Sequence, residues 1–247
     1  MLRSIVAIAL LPLLGLAQEV SSVASPDGQL VFVLDVAQPP IDESALPGLA
    51  YQVRYQGKLL MDTSFLGFDV WNQEPMLGEK VGLSLAKNTQ ERGYNSLYAE
   101  YLQQGSLGRR LNMEVRAYNN GIAFRYIVPP SPPMMEIFFR DEITEFRFSA
   151  ARRLSAVSES TVLQPPFAVE VPGIAWVSVE QADAEKLFTL RHYEGNSLVL
   201  RLPRLAEDPT FVVKSHPTWT SPWRALVVGP SEASVRSADF LDQLPKR

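Results

Sequence analysis

The stretch "LNMEVRAYNNGIAFRYIV", residues 111–128, decides the fold class of this chain. Its first half alternates apolar and polar side chains as far as Ala117, which is the period of a strand with one buried face. Asn-Asn-Gly follows at residues 119–121, and these residue types tolerate the positive φ angles of a tight hairpin turn. The run from Ala123 to Val128 predicts the return strand. The stretch therefore predicts an antiparallel β-hairpin.

Short strand patterns of the same kind continue along most of the chain. They include "QLVFVLDV" (29–36), "LAYQVRYQGKLLM" (49–61), "EITEFRF" (142–148), "FAVEV" (167–171), "AWVSVE" (175–180), "SLVLRL" (197–202) and "WRALVVG" (223–229). Long amphipathic helices are absent from the pattern, and the best helical candidates are residues 182–187 and the C-terminal "SADFLDQLPKR". Hairpins without crossover helices predict an all-β fold, an antiparallel β-sandwich, formed as one domain over residues 18–247.

The N-terminus has the layout of a secretory signal peptide over residues 1–17. Arg3 precedes the apolar run "IVAIALLPLLGLA", which ends in the small residues Gly15 and Ala17. The alternative is a membrane anchor, but the run is shorter than the about 20 apolar residues that span a bilayer. We therefore expect cleavage after Ala17 and a periplasmic or secreted mature protein, with no membrane association once the signal is removed.

Composition argues against several partners. The formal net charge is −4, and the basic residues are scattered instead of forming a patch that could follow phosphates, so we expect no nucleic-acid partner. The chain has no cysteine, which removes both a cysteine nucleophile and a disulfide framework. Its two histidines, His192 and His216, are too few for a histidine-rich metal site.

Common catalytic motifs are also absent. The sequence contains no G-x-S-x-G, no G-x-G-x-x-G, no Walker loop and no H-E-x-x-H. Glycoside hydrolysis uses two carboxyl groups at a set separation, and no local pattern nominates such a pair. In "EITEFRF", strand alternation predicts that Glu145 and Arg147 lie on a solvated face and that Phe146 and Phe148 are packed. We therefore predict no catalytic residue in this chain.

Glu180 and the tryptophans are the candidates for binding. Strand alternation in "AWVSVE" separates Val177 and Val179 from Trp176 and Glu180, so that a carboxylate shares a strand face with an indole. An exposed indole can stack on a sugar while charged groups contact its hydroxyls. The simpler alternative is a surface glutamate beside a tryptophan that is buried in the core.

The ordered set of motifs resembles the N-terminal domain of glycoside hydrolase family 97, which comprises bacterial α-glucosidases and α-galactosidases. The anchors of this resemblance are "NNGIAFRY" (119–126) and "SPWRALVVG" (221–229), accompanied by "WVSVEQADA" (176–184). The resemblance implies a galactose-mutarotase-like supersandwich that packs on a catalytic (β/α)₈ barrel. It also implies that the catalytic carboxylates come from the barrel.

The resemblance further implies a role for Glu180. In the family, a glutamate of the N-terminal domain is a ligand of a calcium ion beside the substrate pocket, and Glu180 in "VSVEQADA" occupies the matching position. Gln181 departs from the alanine that usually follows, and Ser96 in "YNSL" replaces the acid of an asparagine-glutamate pair that keeps Asn95. Ca²⁺ takes six to eight oxygen ligands, so we expect Ca²⁺ to bind only where a barrel completes the site.

These observations lead to one main hypothesis and two alternatives. The main hypothesis is a non-catalytic domain that binds carbohydrate and completes an active site, with Trp176, Glu180 and Arg224 as the carbohydrate-binding residues. The first alternative is one part of a split glycosidase, whose barrel is separately encoded. The second is an exported interaction module without affinity for sugar.

Overall fold

The computed structural model describes residues 20–40, 44–105, 108–132, 134–151, 154, 157–158, 161–182 and 188–245. The predicted signal peptide lies outside the described residues, as does residue range 183–187, which holds most of the first helical candidate. Within the described part, regular structure consists of 18 strands and two short 3₁₀ turns, Ala233–Val235 and Leu241–Gln243. The C-terminal helical candidate is thus a single 3₁₀ turn. No helix in the described ranges is long and apolar enough to cross a membrane.

Ten strands form the first sheet. They are β1 (Ser21–Ala24), β2 (Leu30–Ala37), β3 (Gly48–Tyr55), β4 (Lys58–Val70), β5 (Gln73–Leu77), β10 (Ile137–Arg147), β11 (Val162–Leu163), β14 (Thr189–His192), β15 (Ser197–Arg201) and β16 (Val213–Ser215). The main path is β1-β2-β3-β4-β10-β15-β14-β11, while β5 pairs with β4 and β16 pairs with β10.

Eight strands form the second sheet. They are β6 (Val81–Glu91), β7 (Tyr94–Gln103), β8 (Arg110–Tyr118), β9 (Gly121–Val128), β12 (Phe167–Val171), β13 (Ala175–Gln181), β17 (Trp219–Thr220) and β18 (Arg224–Gly229). Their order is β12-β13-β18-β9-β8-β7-β6, and β17 pairs with β9. The described pairs of both sheets are antiparallel, which confirms the predicted all-β sandwich.

The main core lies between the two sheets and is rich in aromatic rings. Phe32 of β2 stacks on Tyr51 of β3 with ring centroids 5.0 Å apart, and Phe124 of β9 contacts both rings from the opposite sheet. Phe68 of β4 contacts Tyr126 of β9 edge-on at 4.8 Å, again between the two sheets. Each buried aromatic side chain removes a large apolar area from water, so these inter-sheet contacts hold the two layers together.

A second, smaller cluster lies on the outer face of the eight-stranded sheet. The C-terminal segment after β18 folds back over this face, and its side chains Val235, Phe240 and Leu244 are buried there against the sheet. Phe240 stacks on Tyr118 of β8 with ring centroids 4.4 Å apart. The outer face of this sheet is therefore partly covered by the chain itself.

Candidate functional site

Glu180 is buried, unlike the surface glutamate of the simpler alternative. Its side chain points to the outer face of the eight-stranded sheet, as the alternation of β13 predicts, but only 7% of the residue is exposed. The hydroxyl of Ser178 donates a hydrogen bond to Glu180 Oε1 at 2.5 Å. Among the described residues, this hydroxyl is the hydrogen-bond partner of the carboxylate.

The position of β13 explains the burial. Glu180 lies opposite Ala225 of β18, and Ser178 lies opposite Val227, so the neighbouring side chains on this face are small or apolar. Ala225 and Val227 belong to the outer cluster that the C-terminal segment covers. The carboxylate therefore lies at the border of an apolar layer.

Burial changes the acidity of this group. Desolvation raises the pKa of Glu180 above its ordinary value of 4.5, and the hydrogen bond from Ser178 opposes that shift only in part. A carboxylate that is removed from water without a paired cation is costly, because one neutral hydroxyl does not replace its hydration. The group would be stabilised by a proton or by a cation.

Calcium does not fit the described residues of this chain alone. The local set consists of one carboxylate and one hydroxyl, whereas Ca²⁺ takes six to eight oxygen ligands. Within the described ranges, no group of three or more His, Cys, Asp or Glu side chains is arranged to hold a metal ion. Calcium binding stays a prediction that depends on ligands from another domain.

Trp176 shares the face of Glu180. It lies opposite Gly229, which has no side chain, and opposite Glu170 of β12 on the other side. The indole is half-buried and packs against the outer cluster. The structure thus brings Trp176, Ser178 and Glu180 together along one face of β13.

Arg224 lies on the opposite face. It pairs with Gln181 in the register of β13 and β18, which directs its side chain between the two sheets, and it is 1% exposed. Its Nε and Nη2 donate to Oε1 and Oε2 of Glu142 at 2.9 and 2.5 Å, and its Nη1 donates to the carbonyl of Pro222 at 2.9 Å. The structure does not bring Arg224 to the face of Trp176 and Glu180, and its contribution to carbohydrate binding stays a prediction.

Sequence reasoning missed a charged and aromatic cluster on the same outer face. The guanidinium carbons of Arg116 and Arg125 lie 4.9 and 4.5 Å from ring centroids of Trp223. Glu114 forms ion pairs with both arginines, at 3.0 and 2.6 Å. Alternation in β8 and β9 indicates that Arg116 and Arg125 share a strand face. It does not indicate that Trp223 contacts both arginines, because β18, which follows Trp223, lies beside β9 only in the folded sheet.

The fold and this site define a class: a large antiparallel β-sandwich domain that carries a buried carboxylate on the outer face of one sheet. The family follows from the sequence, since the model of the family described as "Glycosyl-hydrolase 97 N-terminal" matches residues 23–154, just over half of the chain. The chain belongs to this N-terminal domain family of glycoside hydrolase 97.

Solved structures show the same fold. A family 97 glycoside hydrolase from Pseudoalteromonas sp. strain K8, described in complexes with panose and with acarbose, gives a TM-score of 0.73 at 18% identity over 92% of this chain. A β-arabinopyranosidase gives a TM-score of 0.60 at 19% identity over 85% of this chain. The chain spans 38% and 40% of the lengths of these structures. A comparison with curated protein sequences gave no match.

Proposed function

We propose that this chain is an exported, non-catalytic N-terminal domain of a family 97-type glycoside hydrolase. In this role it completes the active site of a catalytic barrel and contacts the carbohydrate there. The barrel supplies the reacting carboxylates, and the sandwich supplies Glu180 at the margin of the substrate pocket. The mature protein is periplasmic or secreted.

The observation that carries this proposal is the buried carboxylate of Glu180. It is 7% exposed, its described partner is a neutral hydroxyl, and its pKa is raised by desolvation. A group in this state gains most when a cation or a hydrogen-bond donor arrives from outside the domain. A calcium ion that the barrel helps to hold would supply that positive charge, and carboxylate oxygen is a ligand type that Ca²⁺ prefers.

The residues around Glu180 are of the types that are common where a domain contacts another protein surface. Trp176 is half-buried beside it, and the Arg116–Trp223–Arg125 cluster lies on the same side of the sheet. Aromatic and arginine side chains are enriched in interfaces, because they combine apolar area with hydrogen-bonding groups. The proposal therefore places the barrel and the sugar on the outer face of the eight-stranded sheet.

The proposed substrates are α-glycosides. The Pseudoalteromonas enzyme is described in complexes with panose and acarbose, while another neighbour is described as a β-arabinopyranosidase. The same sandwich thus accompanies enzymes with different sugars. In this proposal the barrel selects the sugar and the linkage, and the sandwich contributes a contact that does not depend on them.

A variant series with a catalytic barrel tests the proposal. The chain is joined to, or mixed with, the barrel of a family 97 enzyme, and hydrolysis of 4-nitrophenyl α-glucoside is followed while the concentration of free Ca²⁺ is varied. We expect Glu180→Gln to raise the calcium concentration needed for half-maximal activity by at least about tenfold, since a neutral amide loses the charge that pairs with the ion.

Glu170→Gln is the matched control. Glu170 is also a carboxylate on the outer face, in the strand next to β13, and it lies opposite Trp176 instead of beside Ser178. The proposal predicts that this variant keeps the calcium dependence of the wild-type chain. Equal calcium dependence for wild type and Glu180→Gln, in a complex that is active, would exclude the role assigned to Glu180.

A further inference from the structure

A second aromatic surface lies on the ten-stranded sheet, away from Glu180. Trp71 is 45% exposed and contacts Phe138 and Phe211 edge-on, with ring centroids 6.3 and 5.6 Å apart and interplanar angles of 77° and 86°. Phe138 and Phe211 in turn contact each other at 5.5 Å. We call these three residues the Trp71 patch. Its outermost element is an indole supported from beneath by two phenyl rings.

The backbone fixes the position of this indole. Trp71 occupies the tight turn between β4 and β5, where Val70 pairs with Gln73 and Asn72 adopts a φ of 54°. The amide of Trp71 donates a hydrogen bond to the carbonyl of Phe138 at 3.0 Å, which continues the pairing of β4 with β10. A ring that is held by a strand pair and by two edge contacts loses little conformational freedom when a ligand stacks on it.

Two ion pairs form the rim of the patch. Arg140 donates from Nε and Nη2 to Asp69 Oδ1 at 3.0 and 2.8 Å, and Asp69 precedes Trp71 by two residues. Lys214 lies 4.9 Å from the ring centroid of Phe211 and pairs with Asp208 at 2.8 Å. The charges of each pair cancel. The two pairs therefore present hydrogen-bond donors and acceptors without a net charge of their own, while Glu74 adds a negative charge near Arg140 and Arg204 adds a positive one at the Arg140 carbonyl.

We propose that the Trp71 patch binds a neutral saccharide through one pyranose ring. The C–H face of a pyranose is apolar and matches the area of an indole, and its hydroxyls project sideways, where both donors and acceptors are needed. Asp69 and Arg140 supply one of each kind on the side of β4 and β10. A rim without net charge favours an uncharged ligand over an anionic one.

The charged rim also makes a protein or a lipid a less suitable ligand for the Trp71 patch than a saccharide. Interface cores are depleted of charged residues, whereas here two ion pairs border three rings closely. The apolar area is also small, because Phe211 is only 5% exposed and the indole supplies most of the free surface. An isolated stacking platform of this kind binds weakly, with a Kd on the order of 1 mM for one sugar chain. The site would hold polymeric substrate near the enzyme without taking part in the reaction.

Affinity electrophoresis of the purified chain tests the proposal. Native gels contain amylopectin, dextran, galactomannan or xylan as neutral probes, or polygalacturonate as the anionic probe, and binding is measured as retardation. Titration with maltoheptaose, followed by the fluorescence of the tryptophans, gives a Kd. We expect retardation in at least one neutral gel and none in polygalacturonate.

Three variants locate the binding. Trp71→Ala should weaken retardation about tenfold, which corresponds to the loss of the stacking ring, and Trp71→Phe should retain part of it while keeping the contacts with Phe138. Tyr193→Ala is the matched control, because Tyr193 is an aromatic residue that is 57% exposed on another turn. Circular dichroism of each variant verifies that the sandwich is folded.

The outcomes separate this proposal from the role of Glu180. Retardation that is lost in Trp71→Ala and kept in Tyr193→Ala supports it. Binding that survives Trp71→Ala, binding that prefers polygalacturonate, or no retardation in any neutral gel overturns it. None of these three results touches the calcium dependence of the complex with the barrel, so each proposal can fail alone.

Discussion

Replacement of Arg224 by methionine is the sharpest test of how this sandwich is held together. The guanidinium group is 1% exposed, and Glu142, its partner, is fully buried. Three of its nitrogens donate hydrogen bonds, two to Glu142 and one to the Pro222 carbonyl. Glu142 also accepts a hydrogen bond from Thr144 at 2.7 Å. Methionine keeps much of the apolar stem of arginine but leaves the carboxylate of Glu142 without a cation.

The expected cost is large because a buried charge remains unpaired. Removal of one partner of a buried ion pair typically lowers the free energy of unfolding by about 3–5 kcal/mol. For a chain of this size each kcal/mol lowers the melting temperature by roughly 2–4 °C, so Arg224→Met should melt roughly 6–20 °C lower. Solvent screening reduces this figure little, since both side chains are almost completely removed from water.

Urea unfolding of four proteins measures the effect: wild type, Arg224→Met, Glu142→Gln and the double variant. The double variant should lose much less stability than the sum of the two single losses, because it contains no unpaired charge. Arg201→Met is the control, since its ion pair with Asp141 has side-chain exposures of 35% and 21% and should contribute at most about 1 kcal/mol.

A change in the unfolding free energy of Arg224→Met no larger than that of Arg201→Met would refute the reasoning. So would full additivity of the two single variants. In either case the ion pair between Arg224 and Glu142 would contribute little to stability. Arg224 would then again be a candidate for contact with carbohydrate.

Three further predictions follow from the structure and the sequence. Because burial raises the pKa of Glu180, the folded chain binds a proton there more readily than the unfolded chain, so this group lowers stability as pH rises from 4.5 through the folded pKa. Glu180→Gln should therefore resist urea better than wild type at pH 7 and match it in acid well below pH 4.5; an equal difference at both pH values would count against this. The purified chain should not hydrolyse α-glucosides or α-galactosides, because hydrolysis uses two carboxyl groups and in the proposed function both belong to the barrel; turnover that a substitution within the chain abolishes would contradict it. Exported protein should begin near Gln18, as mass spectrometry can establish, and an intact Met1 in the membrane fraction would argue for an anchor.

Local patterns predicted many of the strands, although β6 and β7 were not among them. The hairpin at residues 111–128 is present as β8 and β9, and Tyr118 pairs with Gly121 across the two asparagines of the turn. The pattern at residues 49–61 is present as the paired strands β3 and β4, joined by a turn at Gln56-Gly57 with φ angles of 50° and 77°. These features depend on neighbouring residues alone, so alternation and turn chemistry suffice to find them.

Burial of the outward-facing acids could not be predicted in the same way. Glu145 was expected on a solvated face, yet it is 5% exposed, and the hydroxyl of Ser197 and the amide of Phe65 both donate to its carboxylate. Glu180, on the outer face of the other sheet, is 7% exposed. Alternation tells which side of a strand a residue occupies, but not whether something distant in sequence covers that side.

The partner of the buried Arg224 could not be predicted from local patterns either. The alternation of β18 puts Arg224 on the opposite face from Ala225 and Val227. Its partner Glu142 is 82 residues away and belongs to the other sheet. A pairing between two sheets is decided by how the layers stack, and no spacing within the sequence records it.

Gly121 has a consequence for how a second domain can be attached. A β-carbon at this position would lie 2.5 Å from the ring of Phe240 and 2.6 Å from the carbonyl oxygen of Leu226, so only glycine lets Phe240 lie flat on the sheet. That contact holds the segment leading to Leu244 on the side of the sheet to which Glu180 points. Polypeptide joined beyond Leu244 would start on that side, and a short tether would keep its cargo at a millimolar effective concentration. The absence of a side chain at Gly121 thus helps to set the side of the sheet from which an attached domain would start.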